Sequence, residues 1–176
     1  MENIKIAISG FSGCGNTTVS KLLASKLGVT CINYTFRNLA TDLNMSLEEI
    51  IEKAKTDLSY DRMVDTKQVE ITKDISCVLG SRLAVWMLKN ATLKVFLTAS
   101  PEVRAKRICQ RENSNIEETM RFTQERDKQD SQRYRALYDI DNNDYSFVDL
   151  IINTEYYTPE QICNIIIAAL NEKASV

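Results

Sequence analysis

Short apolar runs alternate along the chain with longer segments in which apolar residues recur every three or four positions. The short runs predict buried strands and the periodic segments predict amphipathic helices. The predicted strands cover residues 4–8, 31–34, 75–79, 93–97 and 150–152. The predicted helices cover residues 18–27, 47–55, 60–73, 83–88, 101–111, 116–138 and 159–170. This alternation predicts an α/β fold, with a five-stranded parallel sheet covered by helices on both faces.

Residue types at the predicted helix ends support these boundaries. The two prolines, Pro101 and Pro159, stand where first helical turns are expected, and Ser100 and Thr158 precede them as N-caps. Gly28 follows the first predicted helix, where a left-handed C-terminal position suits glycine. No repeat, linker or low-complexity segment interrupts the 176 residues, so the sequence predicts one domain.

The charge balance bears on the expected partners. The 22 basic and 24 acidic residues give a formal net charge of −2, which indicates neither a nucleic-acid surface nor a membrane surface. The N-terminus lacks a basic segment followed by a long apolar run, and no stretch approaches the length of a membrane span. We therefore expect a cytoplasmic monomer whose partners are small molecules.

Cysteine and histidine usage narrows the chemistry. The five cysteines are scattered and odd in number, which is typical of reduced thiols. The chain has no histidine, which excludes Ser-His and Cys-His nucleophilic systems and argues against a zinc site. Catalysis must therefore depend on carboxylates, arginines, lysines, backbone dipoles and a bound metal ion.

A glycine-rich turn joins the first strand to the first helix in the segment GFSGCGNTT, residues 10–18. Three of the five glycines of the chain lie there, and positive φ angles at glycine let main-chain N–H groups turn inward as a nest for phosphate oxygens. The helix N-terminus behind them adds partial positive charge. The phosphate-loop pattern G-x-x-x-x-G-K-[ST] fits at Gly10, Gly15 and Thr17, but Asn16 occupies the lysine position. The alternative is a strand-to-helix turn that binds no ligand.

Arginines recur at helical spacing in two later segments. One set shares a face at i, i+3 and i+7, and the other at i, i+4 and i+7. The first set is Arg104, Arg107 and Arg111. The second set is Arg126 and Arg133 with Asp130 between them. Two such helices, joined by a polar turn at residues 113–115, suit a mobile flap over a polyanion, because arginine binds phosphate oxygens in a bidentate way. The alternative is a solvated face with salt bridges.

Two more arginines follow predicted strands. Arg37 comes after the second strand and Arg82 after the third, so both are expected at the sheet edge that carries the glycine-rich turn. They could bind a second phosphorylated ligand facing the first. Asp61 and Arg62 begin a helix in the insertion between these strands, which could close over that ligand.

Sequence blocks along nearly the whole chain resemble the cytidylate kinase family, in its short form common in archaea and some bacteria. The blocks are ISGFSGCGNTTVSKLLASKLG, TFRNLA, MSLEEI, YDRMVD, SRLAVWML, PEVRAKRI, ERDKQDSQRYRALYDID and DLIINTEYYTPEQI, in the order and spacing of the family. The resemblance implies a P-loop NTPase fold, as in adenylate kinases, that transfers the γ-phosphoryl group of ATP to CMP or dCMP with Mg²⁺. It also implies a core at residues 1–34, 75–105 and 140–176, a monophosphate-binding insertion at about 35–74 and a lid at about 106–135.

The resemblance also implies roles for individual residues. ATP would be bound by the phosphate loop, with Thr17 toward the metal ion and Arg107 near the adenine. The monophosphate would be bound by Arg37 and Arg82 and oriented by Asp130. Arg126 and Arg133 would reach the phosphates being exchanged. The full set for ATP is Gly10, Gly13, Cys14, Gly15, Asn16, Thr17, Thr18 and Arg107.

Two positions depart from the expected pattern. Gly80 and Ser81 stand where the family often has Glu-Gly, and Asn16 replaces the phosphate-loop lysine that would neutralise the moving phosphoryl group. Asn16 therefore stays a candidate catalytic residue beside Arg126 and Arg133, and two alternatives remain open. One is a nucleotide-binding protein of the same fold with weak or no catalysis. The other is a kinase that acts on a different small acceptor.

Overall fold

The computed structural model describes residues 3–174 and contains a five-stranded parallel sheet in the order β2-β3-β1-β4-β5. The strands are β1 (Lys5–Gly10), β2 (Thr30–Ile32), β3 (Cys77–Gly80), β4 (Leu93–Thr98) and β5 (Leu150–Asn153). All four neighbouring pairs are parallel, with Ile8 of β1 opposite Gly80 of β3 and Val95 of β4. The predicted α/β fold is confirmed. Every strand end lies within two residues of its predicted position.

Helices connect the strands. They are α1 (Asn16–Leu27), α2 (Phe36–Asp42), α3 (Leu47–Ala54), α4 (Ser59–Ile71), α5 (Ala84–Met87), α6 (Pro101–Glu112), α7 (Ile116–Tyr138) and α8 (Pro159–Ala174). Seven of these were predicted, with ends within two residues except at the C-terminus of α8. The sequence analysis missed α2, whose seven residues are too few to show an apolar period. Thr35 fixes its start, because the Thr35 N–H donates a hydrogen bond to Asn38 Oδ1 in a capping box.

The predicted helix ends are also confirmed. The Ser100 hydroxyl accepts a hydrogen bond from the Val103 N–H, and Thr158 and Gln161 cap the start of α8 reciprocally. Gly28 ends α1 at φ 65°, in the left-handed region.

Apolar side chains pack on both faces of the sheet. Alternate residues of β1 divide between them, with Ile6 and Ile8 on one face and Ala7 on the other. The first face is covered by α1 and α8, and the second by α5. A third, small cluster around Leu39 and Ile50 lies within the segment between β2 and β3. This segment thus has apolar packing of its own. Among the described residues, no helix is long and apolar enough to cross a membrane.

Candidate functional site

The glycine-rich turn lies at the carboxyl end of β1 and leads directly into α1. Gly13 and Gly15 have φ angles of 84° and 98°, as the nest prediction requires. At Gly13, a Cβ would lie 2.8 Å from the Arg104 carbonyl oxygen and 2.9 Å from the Arg104 Cα, so glycine also lets α6 pack closely against the loop. Gly15 stands at the N-cap of α1 and has no side chain to occupy the N–H groups of the first turn.

A cleft of about 700 Å³ opens above this turn. Its floor is the turn from Gly10 to Thr18, and its walls come from α6, α7 and the segments that follow β2, β3 and β5. The arginines that line it are Arg82, Arg107, Arg111 and Arg126. The structure therefore brings the predicted loop and four of the arginines singled out in the sequence to one cleft. Such a concentration of positive charge beside the N-terminus of α1 suits a polyphosphate.

Asn16 is the first residue of α1 and borders the cleft. Its Nδ2 donates a hydrogen bond of 2.7 Å to the Gly10 carbonyl oxygen, at the end of β1. Its Oδ1 is buried and has no hydrogen-bond partner among the described residues. The side chain at the lysine position thus connects the two ends of the turn.

Cys14 lies within the turn and is fully buried. Burial raises the pKa of its thiol to about 11, so the group stays protonated at neutral pH. Its contribution to the site is therefore through the main chain and packing. Thr17 and Thr18 are exposed in the first turn of α1, and both border the cleft.

Arg82 links the phosphate loop to α7. It pairs with the Asp130 carboxylate and donates a hydrogen bond of 2.8 Å to the Ser12 hydroxyl. Arg133 lies 3.9 Å from Asp130 and 2.8 Å from the Asp61 carboxylate on α4. Burial raises the pKa of the Asp130 carboxyl, and Arg82 and Arg133 oppose that rise. Asp130 and Arg133 of the predicted R-x-x-x-D-x-x-R face therefore belong to one charge network, which reaches the loop through Arg82 and reaches α4 through Asp61.

Arg107 is held against the phosphate loop. It donates hydrogen bonds to the Gly13 carbonyl oxygen at 3.3 Å, to the Thr154 hydroxyl at 2.8 Å and to the Thr154 carbonyl oxygen at 2.8 Å. These contacts fix the guanidinium between the turn and the end of β5, at the side of the cleft that Tyr157 also lines. This placement agrees with a position beside the donor nucleotide.

Arg104 differs from its two neighbours in the predicted arginine set. Its side chain is only 6% exposed, pairs with Asp127 at 2.6 Å and donates to the Ser12 carbonyl oxygen at 3.2 Å. The guanidinium carbon also lies 5.3 Å from the centre of the Phe11 ring. Arg104 therefore joins α6, α7 and the phosphate loop, and it is not among the cleft-lining arginines of the described chain.

Arg126 has no hydrogen-bond or ion-pair partner among residues 3–174. Burial lowers the pKa of its guanidinium, and repulsion from Arg82 lowers it further. An anion in the cleft would relieve that repulsion.

Arg37 is exposed on α2 and is not among the residues that line the large cleft in the described structure. From the segment that precedes α2, Asn33 and Thr35 line the cleft instead. The predicted contact of Arg37 with the monophosphate stays a prediction.

The residues fit a magnesium ion held chiefly by phosphates. Within residues 3–174, no group of three or more histidine, cysteine or carboxylate side chains is placed to hold a metal. Mg²⁺ needs few protein ligands when substrate phosphates supply the rest. The exposed Thr17 hydroxyl beside the loop is a suitable hard oxygen ligand.

Several contacts in the site were not predicted from the sequence. Ser12 connects Arg82 to the loop, Thr154 fixes Arg107, and Asp61 pairs with Arg133. Ser12 and Thr154 carry no distinctive spacing signal. Asp61 had been placed at the start of an insertion helix, but its partner lies 72 residues away.

Comparisons with known proteins bear on the family of this chain. A family model described as the cytidylate kinase-like family matches residues 5–156. The chain is 41% identical over 172 residues to a protein named cytidylate kinase from Pyrococcus horikoshii, covering 97% of this chain and 90% of the relative. It is also 41% identical over 167 residues to a protein named cytidylate kinase 2 from Borreliella afzelii, covering 93% and 94% respectively.

Solved structures of low sequence identity share the fold. Shikimate kinase from Bacteroides thetaiotaomicron has a TM-score of 0.63 at 17% identity, with coverage of 96% of this chain and 98% of that chain. Shikimate kinase from Aquifex aeolicus has a TM-score of 0.59 at 21% identity, with coverage of 97% and 98%. These likenesses agree with the P-loop kinase architecture predicted from the sequence.

Proposed function

We propose that the protein is a cytidylate kinase, from the premise that its chain belongs to the cytidylate kinase-like family. MgATP donates its γ-phosphoryl group to CMP or dCMP, and the products are ADP with CDP or dCDP. The observation that carries the proposal is a single cleft lined both by the turn from Gly13 to Thr17 and by Arg82, Arg107 and Arg126.

The chemistry needs little beyond positioning and charge neutralisation. The nucleophile is an oxygen of the acceptor phosphate, which already carries negative charge at neutral pH, so no general base is required. This agrees with a chain that has no histidine. The bond from the γ-phosphorus to the oxygen shared with the β-phosphate breaks as the bond to the acceptor oxygen forms, and ADP leaves with that oxygen.

Different residues of the chain bind the two substrates. The main-chain N–H groups of the loop and of the first turn of α1 bind the ATP phosphates, and Arg107 lies beside the donor nucleotide. The Thr17 hydroxyl would help to hold Mg²⁺, whose chemistry there would be the neutralisation of phosphate charge. Arg37 and Arg82 bind the acceptor phosphate, and Asp130 orients the nucleoside.

The proposed catalytic residues are Arg126, Arg133 and Asn16. Arg126 lines the cleft without a hydrogen-bond or ion-pair partner among residues 3–174, and it stabilises charge on the transferring phosphoryl group. Arg133 joins it when phosphates compete with Asp61 and Asp130 for its guanidinium. Asn16 contributes its main-chain N–H and holds the loop through the Gly10 carbonyl.

Partition of the chain follows the same proposal. The core is residues 1–34, 75–105 and 140–176, the insertion that receives the monophosphate is about 35–74, and the lid is about 106–135.

The partners are ATP and CMP or dCMP, the protein acts as a monomer without nucleic acid or membrane, and its location is the cytoplasm. An inactive nucleotide-binding protein is the less favoured alternative, since the relatives with about 41% identity are named cytidylate kinases.

The test is an acceptor screen in a coupled assay of ADP release with magnesium. CMP, dCMP, UMP and AMP are supplied in turn, and ATP alone reports hydrolysis. We expect release that depends on CMP or dCMP and greatly exceeds release without acceptor. Folded protein that releases ADP equally with and without every acceptor would contradict the proposal.

A further inference from the structure

Ser9 is a polar residue buried in the central strand of the sheet. The strand β1 is buried along its whole length, and Ser9 has a fractional exposure of 0%. The glycine-rich turn follows directly, but Ser9 is not among the residues that line the cleft in the part of the chain that the structure describes. A hydroxyl at this depth requires hydrogen-bond partners, so the identity of these partners indicates its role.

The Ser9 hydroxyl makes two hydrogen bonds to the segment that follows β3. It donates to the Ser81 carbonyl oxygen at 2.9 Å and accepts from the Val85 N–H at 3.1 Å. Val85 is fully buried in the first turn of α5, where an N–H group has no acceptor within its own helix. Ser9 therefore caps the start of α5 from a position 76 residues before Val85 in the chain.

Arg82 lies between these two contacts. The Ser81 carbonyl belongs to the planar peptide unit that joins Ser81 to Arg82, so the hydrogen bond from Ser9 fixes the orientation of the Arg82 main chain. The Ser81 N–H donates to the Ile8 carbonyl oxygen at 3.2 Å, and the Ala84 N–H donates to the Ser81 carbonyl oxygen at 3.4 Å. The main chain on both sides of Arg82 is thus held against β1.

The Arg82 side chain is held at its other end within the cleft. The guanidinium pairs with Asp130 and donates to the Ser12 hydroxyl at 2.8 Å. Binding of a phosphate by arginine depends on the placement of a planar fork, and a displacement of about 1 Å in a substrate-positioning group can cost on the order of 10²-fold in rate. A shift of the main chain at Arg82 would therefore change the contact with the acceptor phosphate.

We propose that Ser9 is a positioning residue for the acceptor phosphate, and that it acts by fixing the main chain of Arg82 at the cleft. This inference rests on the proposed function, in which Arg82 binds that phosphate. Ser9 itself contacts no substrate. Without its hydroxyl, the buried Val85 N–H loses its acceptor, and residues 81–85 become free to shift against β1.

The variant that tests the proposal is Ser9→Ala, with Thr92→Val as its matched control. The Thr92 hydroxyl also accepts a main-chain N–H from another segment, that of Lys5 at 3.1 Å, but it does so at the opposite end of β1. Each variant removes a hydroxyl that joins β1 to another segment, so we expect both to lower the melting temperature. Only Ser9→Ala removes a contact beside Arg82.

Calorimetry with the full chain measures the Kd of CMP and the Kd of ADP with magnesium in separate titrations, which do not require turnover. In Ser9→Ala we expect the Kd of CMP to rise roughly tenfold and the Kd of ADP to change by less than about twofold. Thr92→Val should change neither Kd by more than about twofold. Coupled assays should show the same division, with KM raised for CMP and not for ATP.

Combination with Arg82→Lys tests whether Ser9 acts through Arg82. Lysine keeps the positive charge but has a flexible stem and no fork, so its contact with a phosphate depends less on the orientation of the main chain. In the Arg82→Lys background, Ser9→Ala should therefore weaken CMP binding by less than about threefold. If Ser9→Ala does not fold, Ser9→Cys takes its place, because the thiol is similar in size and hydrogen-bonds only weakly.

The outcomes separate this inference from the proposed function. Three results would overturn the inference: an unchanged Kd of CMP in the Ser9 variant, an equal rise in the Kd of CMP and of ADP, or a loss of CMP affinity that is the same in both backgrounds. Phosphoryl transfer to CMP by the wild type would still be observed in these cases. Failure of the wild type to transfer phosphate to any acceptor would overturn the proposed function, whereas calorimetry would still measure how CMP binding depends on Ser9.

Discussion

Asn16 shows how a neutral side chain can serve at a phosphate-loop position. Its amide nitrogen is engaged by the Gly10 carbonyl oxygen at 2.7 Å, which stabilises the turn. Positive charge at the cleft comes instead from Arg82, Arg107 and Arg126 and from the N-terminus of α1. The positive φ angles of the turn depend on Gly13 and Gly15, and the Asn16 side chain adds the contact to Gly10.

Replacement of Asn16 with lysine tests this division of labour. We expect Asn16→Lys to change the rate of CMP phosphorylation by less than about tenfold, because other groups already neutralise the phosphates. Asn16→Met, which has length without charge, is the matched control. A gain of about 10²-fold or more in Asn16→Lys, but not in Asn16→Met, would instead favour the inactive nucleotide-binding alternative.

Gly13 and Gly15 allow a comparison between crowding and backbone strain. Both have positive φ, but a Cβ at Gly13 would lie within 2.9 Å of the Arg104 backbone. Apart from its chain neighbours, no atom of the described residues lies within 4 Å of a Cβ at Gly15. Gly13→Ala should therefore lower the free energy of unfolding by about 1–3 kcal/mol more than Gly15→Ala. Urea denaturation followed by circular dichroism measures both, and equal losses would show that the approach of α6 is not a constraint.

At the scale of elements, local sequence patterns predicted the sheet and most helices. The apolar run of β1 and the period of α7 are long enough to identify from the sequence alone, and Ser100 marks the start of α6 by its capping chemistry. The short helix α2 has no such period. Its residues become helical because Thr35 caps them and Leu39 packs in the cluster of the insertion.

The α6–α7 pair shows what spacing alone does not determine. Arg104 and Arg111 lie on one predicted face, yet Arg104 is buried in a pair with Asp127 while Arg111 is 67% exposed and pairs with its neighbour Glu112. The distinction arises from the approach of α6 to Gly13, which is a tertiary contact. The sequence thus indicated segments that line the cleft, but it did not separate the cleft-lining arginines from Arg104, which is buried in an ion pair.

Loss of the Arg104 side chain should therefore destabilise the protein. We expect Arg104→Met to lower the free energy of unfolding by on the order of 3 kcal/mol, because it leaves Asp127 without its partner in a partly buried place. Arg111→Met is the control and should change it by about 0.5 kcal/mol or less. Chemical denaturation of the two variants measures both changes. Equal decreases in the free energy of unfolding would contradict the structural role of Arg104.

At the scale of the whole molecule, an ion pair and a hydrogen bond join α4, in the segment between β2 and β3, to α7. The link consists of Arg133 with Asp61 and Tyr138 with Asp65. Neither pair could be predicted from the sequence, because the partners lie more than 70 residues apart. Substrate phosphates would compete with these carboxylates for Arg133, so binding and the placement of α4 should be coupled.

Asp65 should make stability depend on pH. Burial raises the pKa of its carboxyl from 3.8 to about 6, with the nearby Asp61 adding to the rise and Tyr138 and Arg133 opposing it. Between about pH 4 and 6 the folded protein holds this proton more tightly than the unfolded chain, so the free energy of unfolding falls as pH rises through that window. Above pH 6 the Asp65 carboxyl is ionised in the folded protein, and the full free-energy cost of burying its charge is present.

Asp65→Asn should remove this cost while keeping an acceptor for Tyr138. We expect the variant to be more stable than the wild type at pH 7.5 by at most about 3 kcal/mol, and to differ little near pH 4. Urea denaturation at both pH values measures the difference. Two results would contradict the raised pKa of Asp65: a variant that is less stable than the wild type at pH 7.5, or a variant whose free energy of unfolding differs from that of the wild type by the same amount at both pH values.

The most direct test of the central claim is the fate of a γ-labelled phosphate of ATP incubated with the purified protein, magnesium and CMP. The account predicts that label moves from ATP to CDP in amounts equal to the ADP formed, and that Arg82→Ala and Arg126→Ala suppress this transfer while the protein stays folded. Label that remains in ATP, or that appears only as inorganic phosphate, would contradict it.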